Sequence, residues 1–506
     1  MQHHARLVHR RCLALFALAG ACQDIDGPAA DASDSSGADT EGADDPSATT
    51  GGAAGSEAGD EPGTTDGADS SGGEAETDDG SVCGNGTIDL GEVCDDGTND
   101  GSYGGCMPGC QEIAAWCGDG HVDAEEACDA GEANGVYGFC ASDCSGIGEH
   151  CGDGTAQDGE GCDDGNRTDA DGCNVDCRPS GELRWSYSLA TDDGEFSDTT
   201  AIAVADDGSS VVVGRRGGVT EDRGHITLLD ASGSPWWDDV LDYGDVYTSP
   251  NGVAIQGDGG ILVVGDGDDG GWRRRYTPGG VSTDSETTQN VWWRAVDCTG
   301  GLGCAVVGWV GYTTAIEVLD DDGAPLWSGS STYQATDVTV WPDGDVAMAG
   351  VRTDDHGFAR RLASGGAQRW ALAPDDAVRY TAIAATPSGT SIELTADDTG
   401  TTLWERDATG GALWHSVPTE HVWHDLAVDA LGDIVAVGTV ADDDGTPHAV
   451  VRKFTPDGGT RWTTVVDDLD ADLTHVEVAE GTGLVVAGGR TRDAEPYAGV
   501  VVAFAP

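Results

Sequence analysis

The chain has 506 residues, with 24 Lys and Arg against 92 Asp and Glu, a net charge of −68, 79 glycines and a single lysine, Lys453. Without clustered cations to neutralise phosphate it is no nucleic-acid binder of the usual kind, and an anionic lipid surface would repel it. It has no apolar run of 18 residues, so no segment reads as a spanning helix, and its 16 cysteines, 12 of them regularly spaced, argue for an oxidising compartment.

Residues 1–22 read as an export signal. His3, His4, Arg6, His9, Arg10 and Arg11 make a basic head, and Cys12–Ala21 is a short apolar stretch. It ends in Leu18-Ala-Gly-Ala-Cys22, which resembles a bacterial lipobox with Cys22 as the lipidated residue. The implied location is the outer membrane or cell surface, with the membrane reached only through the lipid; cleavage near Ala21 and secretion is the alternative. Residues 23–82 hold 17 acidic and no basic residues, set among Ser, Thr, Gly, Ala and Pro. That composition cannot offset the entropy of ordering, so a disordered, self-repelling linker is expected.

Residues 83–180 carry three cysteine repeats. Cys83, Cys94, Cys106 and Cys110 recur 34 residues on as Cys117, Cys128, Cys140 and Cys144. Cys151, Cys162, Cys173 and Cys177 repeat the set with one residue fewer between the second and third. Four cysteines per unit give two bridges, whose pairing the spacing leaves open. Few core residues are present, so bridges must supply the stability. The segments Cys117-Gly-Asp-Gly, Cys151-Gly-Asp-Gly, Cys162-Asp-Asp-Gly-Asn and Asp171-Gly-Cys173 resemble the Myxococcus cysteine-rich repeat family. The resemblance implies an exported protein and no reaction. In the third unit Asp163, Asp164, Asn166, Asp169 and Asp171 crowd oxygens into a Gly-rich loop, a candidate calcium set; ordinary Asx turns are the other reading.

Residues 181–506 carry a second repeat. A glycine turn precedes Trp at Gly181…Trp185, Gly233…Trp236, Gly323…Trp327, Gly366…Trp370, Gly411…Trp414 and Gly459…Trp462, while Gly279-Gly280-Val281 lacks the Trp. Alternating runs such as Leu426–Gly438 and Val338–Gly350 lie between, and helical periodicity is absent. Four short strands at this spacing make a propeller blade. The strand Val500–Phe504 lacks a following Trp strand and Leu183–Leu189 lacks a preceding one, so pairing them closes the ring. The expected fold is all-β: a seven-bladed β-propeller preceded by a small disulfide-rich module and a disordered acidic linker. The Gly-turn-Trp segments resemble the tryptophan-docking repeats of quinoprotein-like propellers, which implies Trp packing between blades and no quinone site. Cys298 and Cys304 flank a turn between paired strands, where a disulfide would staple the hairpin.

Aligning the repeats puts Tyr247, Trp292, Trp293, Tyr380, His421, Trp423, His424 and His475 just before successive first strands, on one face. Seven of these, Trp292 through His475, are the candidate ligand-binding residues, as an aromatic platform for sugars or peptide side chains; filling gaps between blades is the alternative. The same connections hold Asp192, Asp193, Asp375, Asp376, Asp442, Asp443, Asp444, Asp467, Asp468 and Asp472, a rim suited to cationic partners. Arg216, Arg352 and Arg490 occupy equivalent positions, expected to pair with neighbouring blades, and Arg274 should face away from Arg273 and Arg275. G-x-S-x-G and H-E-x-x-H are absent, and no catalytic residue is nominated. The leading reading is a non-catalytic scaffold for an extracellular or envelope partner, protein or glycan, with no cofactor other than calcium. A lectin, a propeller enzyme acting on glycans and a pure spacer are the alternatives.

Overall fold

A computed structural model describes residues 83–189, 195–217, 222–241, 247–299, 303–352, 354, 356–374, 378–416, 421–467, 469–492 and 496–506, with the backbone of 23–24. The export signal and Cys22 lie outside them. So does the expected linker apart from Gln23–Asp24, a two-residue strand paired in parallel with Gly329–Ser330.

The propeller follows from strands too apolar to face water on either side. Val211–Val213, Ile261–Val264, Ile434–Val437 and Val485–Ala487, all in second strands, are buried on both faces. Such a strand needs a neighbour above and below. Seven four-stranded antiparallel blades supply them. Blade 1 runs from Ala201–Val204 to Pro235–Leu241, blade 2 from Thr248–Ile255 to Ser282–Gln289, and blade 3 from Trp292–Thr299 to Pro325–Ser331. Blades 4, 5 and 6 run from Gln334–Val340, Arg379–Ala385 and Val422–Val428 to Gln368–Leu372, Ala412–His415 and Thr460–Val466. Blade 7 contains Ala471–Val478, Val485–Thr491 and Gly499–Phe504, and its outermost strand is Leu183–Leu189. The register Leu189↔Gly499 to Leu183↔Phe504 closes the ring between the two ends of the domain. Each of the seven seams between blades holds its own apolar cluster.

Outermost strands dock by one device. A Cβ on Gly233 would lie 2.5 Å from the Trp185 ring, and Gly233 has φ +79°, so only glycine admits the indole there. The same contact joins Trp237 to Gly280, Trp327 to Gly366, Trp370 to Gly410, Trp414 to Gly458 and Trp462 to Gly181. Blade 1 thus docks through Trp237 rather than Trp236. The bulge between Leu228 and Leu229 pairs Trp237 with Leu228, the register of the other docking tryptophans, and leaves Trp236 69% exposed. Between blades 2 and 3 the Trp position holds Asp284, and the Arg275 guanidinium lies against Gly323.

The disulfides nest. Each repeat joins its first cysteine to its fourth and its second to its third: Cys83–Cys110 and Cys94–Cys106, Cys117–Cys144 and Cys128–Cys140, Cys151–Cys177 and Cys162–Cys173. One aspartate organises each unit. Asp95 accepts the N–H groups of Gly84, Asn85, Gly86 and Gly97, and Asp129 and Asp163 do the same in theirs. The first two repeats form one compact unit, and the third belongs with the propeller. There Asp176 pairs with Arg184 at 2.7 Å. Cys298 and Cys304 are cross-strand partners in blade 3 and are bonded to each other.

Candidate functional site

First strands face the propeller axis with one edge unpaired, and their N–H groups need acceptors. Carboxylates from neighbouring blades provide several. Asp297 accepts Val340 N–H at 2.8 Å and the Thr339 hydroxyl at 3.1 Å, Asp337 accepts Ile383 N–H at 2.7 Å, and Asp425 accepts Val476 N–H at 3.1 Å. These bonds join blade 3 to 4, 4 to 5, and 6 to 7. Glu477 feels the charges of Asp297, Asp425 and Asp337. Burial pushes Asp297 up to about 6, Asp425 to about 7 and Asp337 to about 8, the last helped by the Asp425 charge. Burial and those three neighbours hold Glu477 well above the carboxylate range, although its surface stays open to solvent along the axis. Burial disfavours charge and the remaining carboxylates repel it, so the set resists full ionisation at neutral pH.

The face built from second-to-third and outermost-to-first connections carries arginines laid on aromatic rings. Arg294 lies 4.3 Å from the Trp309 ring centre, Arg490 5.2 Å from Tyr497 and Arg352 5.8 Å from Tyr333. Arg294 also pairs with Asp266 at 3.2 Å, and Arg352 with Asp354 at 2.8 Å in its own loop. Of the recurring arginines, Arg352 thus contacts the Tyr333 ring and Asp354, and Arg490 the Tyr497 ring. Arg215 pairs with Asp198, and Arg492 with Asp472 at 2.7 Å. Tyr312 projects into solvent from the same face.

The aromatic candidates divide by burial. Trp293 is fully buried, with Gly271 and Gly308 against opposite sides of its ring. Tyr380 is buried against Gly357, and Trp423 stacks on His421 at 5.1 Å and meets Phe454 edge-on. Trp292, His424 and His475 are half-buried, His424 within 3.4 Å of the Thr439 hydroxyl. Burial holds His475 down at about 4, so it is neutral at physiological pH. Four of the seven rings thus sit inside the seams, out of reach of a surface ligand. Of the acidic rim, Asp192, Asp193, Asp375, Asp376 and Asp468 lie outside the described residues. Asp442 holds Thr446 and Asp444 N–H groups, and both it and Asp467 lie 3.3 Å from His448.

In the third cysteine repeat Asp163 holds four backbone N–H groups, Asp164 those of Asn166 and Cys173, and Asp169 that of Val175. Asn166 donates to Asp171 at 3.0 Å. An ion would have to compete with these donors. Among the described residues every tight group of potential metal ligands includes a sulfur already in a disulfide.

Sequence reasoning passed over the axial carboxylates. The available signal was an acid at one of two fixed positions of a first strand, as in Val296-Asp297, Asp337-Val338, Asp425-Leu426 and Val476-Glu477. A chain with 92 acidic residues hides four of them.

No protein-family model matches the chain, and no curated protein matches it. Solved structures do. The Dos1 propeller is 9% identical with a TM-score of 0.44, over 64% of this chain and 95% of that one. YCF48 bound to a D1 peptide is 12% identical with a TM-score of 0.45, over 64% and 94%. A catalytically inactive virginiamycin B lyase from Staphylococcus aureus, with quinupristin, is 11% identical with a TM-score of 0.42, over 63% and 99%. The chain is a seven-bladed β-propeller protein with a disulfide-rich N-terminal segment.

Proposed function

We propose that the chain is an exported, lipid-anchored surface protein whose propeller is a non-catalytic scaffold for a protein partner. The arginines stacked on Trp309, Tyr333 and Tyr497 carry this reading, because they put half-sheathed guanidinium and aromatic groups on one face. Those side chains dominate the binding energy of protein interfaces. Seven disulfides fit an oxidising compartment, and the Myxococcus-type cysteine repeats and the lipobox at Cys22 fit export and anchoring.

The test exposes the immobilised chain to envelope extract and to a glycan array. Saturable retention of one protein, indifferent to sugar and lost in Arg294→Glu, supports the scaffold. Sugar binding lost in Trp292→Ala would replace it with a lectin, and turnover of a glycan would replace it with an enzyme. Labelling with an alkynyl fatty acid, abolished by Cys22→Ser, tests the anchor.

A further inference from the structure

The opposite face, where the third cysteine repeat meets blades 7 and 1, has a groove of about 260 Å³. Its walls are Val175 from the repeat and Ala231, Leu484 and Pro506 from the propeller. Val175 is 43% exposed, although it borders an apolar floor. Asp169, Asp176 and Asp207 rim the opening with Arg184. Arg184 is matched by Asp176, and among the described residues neither Asp169 nor Asp207 has a cationic partner.

A second observation points to a ligand. Asn174 lines the groove and is 2% exposed. Its Oδ1 receives Ala170 N–H at 2.9 Å and the Ser180 hydroxyl at 3.2 Å, which fixes the amide orientation. Its Nδ2 is then a buried donor with no acceptor among the described residues. An unmet buried donor is costly unless something outside the chain accepts from it. The first two repeats place Met107 and Ala141 at this position, so the donor is particular to the repeat that meets the propeller.

From these three features we infer that the groove docks an extended segment of a partner protein with an apolar side chain next to Arg or Lys, and that docking opens the Asn174 amide to one of its carbonyls. The apolar floor takes the first side chain, Asp169 and Asp207 the cation, and the amide the backbone. A second copy of this chain fits badly, since it brings another −68 charge and its one lysine is buried against Asp429. This site stands apart from the arginine–aromatic face and does not depend on it.

The test uses the full chain and a fluorescein-labelled Leu-Arg-Leu-Arg amide, read by anisotropy. The expected result is saturable binding that weakens with salt and falls at least about tenfold in Val175→Arg and in Ala231→Arg. Both side chains are exposed on opposite walls, so each variant should keep its melting temperature, and either one suffices if the other unfolds. Val310→Arg, exposed on blade 3, should bind normally. Equal loss in Val310→Arg, or equal binding of Gly-Arg-Gly-Arg or Leu-Glu-Leu-Glu, would reduce the effect to net charge and overturn the site. Absence of saturation, or self-association that Val175→Arg abolishes, would overturn the occupant.

Discussion

At the outermost strands six seams of the ring are docked by an indole lying on a glycine, and the seam between blades 2 and 3 by a guanidinium. An indole buries about 150–250 Å² and excludes water. The arginine seam keeps a cavity of about 20 Å³ between Arg273, Arg275, Asp284 and Glu286, room for one water. Arg273 bridges Glu286 and Glu317, each at 2.6 Å, and Arg275 reaches the Asp320 carbonyl at 3.4 Å. Arg274 turns the other way, toward Asp239, as strand alternation requires. The outermost strand of blade 2, Ser282–Gln289, is polar and exposed along nearly its whole length. A ring can therefore be closed by two unlike kinds of contact, one insensitive to salt and the other screened by it.

The largest effect should come from an apolar seam. Trp462 is 8% exposed and belongs to the cluster joining blades 6 and 7. Trp462→Ala removes the ring and leaves a void, a cost of about 3–5 kcal/mol. Calorimetry should show a melting temperature lower by roughly 10 °C, nearly independent of salt. A loss under about 2 °C would mean the indole contributes little to closure.

Nearer the axis the contacts are made by carboxylates, and their effect depends on pH. Asp337 has its folded pKa raised to about 8, against an ordinary value of 3.8, by burial and the Asp425 charge. The folded chain then keeps a proton that the unfolded chain releases. Its contribution is complete below pH 4 and is lost as the pH climbs through 8; Asp425 and Asp297 act the same way toward about 7 and 6. The propeller should melt lower at pH 8 than at pH 5, and Asp337→Asn should shrink that difference by roughly 5 °C. An unchanged pH profile would show that the carboxylate stays ionised throughout. The cysteine repeats run oppositely. Hydrogen bonds from Gly131 and Gly118 overcome the desolvation of Asp129 and hold it near 2, so acid loosens that unit.

Arg275→Ala removes the guanidinium from Gly323 and should cost about 1 kcal/mol at low salt, a shift of about 3 °C that narrows at high salt. A loss as large as that of Trp462→Ala would erase the distinction between the seams.

Much of this architecture was legible because it repeats. The glycine-turn-tryptophan period gave the blade count, and the orphan strands Leu183–Leu189 and Val500–Phe504 gave the closure, since both signals are periodic and apolar. Nested disulfide pairing was not legible, because equal spacing permits three connectivities per unit. The aromatic candidates before the first strands were legible as a group but not in their burial. Whether Trp293 faces solvent or Gly271 depends on a neighbouring blade, which no local pattern encodes. The same holds for the axial carboxylates, whose partners lie 42 to 51 residues away.

The smallest expected effect tests the register. Trp236 and Trp237 are adjacent, and reading Gly233…Trp236 follows the three-residue interval of Gly411…Trp414 and Gly459…Trp462. In the structure the left-handed turn glycine stands four residues before each docking tryptophan, from Gly181 and Trp185 to Gly458 and Trp462, and that interval selects Trp237. Trp237 donates to the Pro278 carbonyl at 3.2 Å and stacks on Tyr276, while Trp236 points to solvent. Trp236→Ser should therefore change stability by no more than about 0.5 kcal/mol, within about 2 °C of the parent. Trp237→Ser should behave like loss of an apolar seam. If the two variants exchanged these behaviours, the strand would be shifted by one residue. Its outward and inward faces would then be swapped, and the docking rule drawn from the other five tryptophans would fail in blade 1.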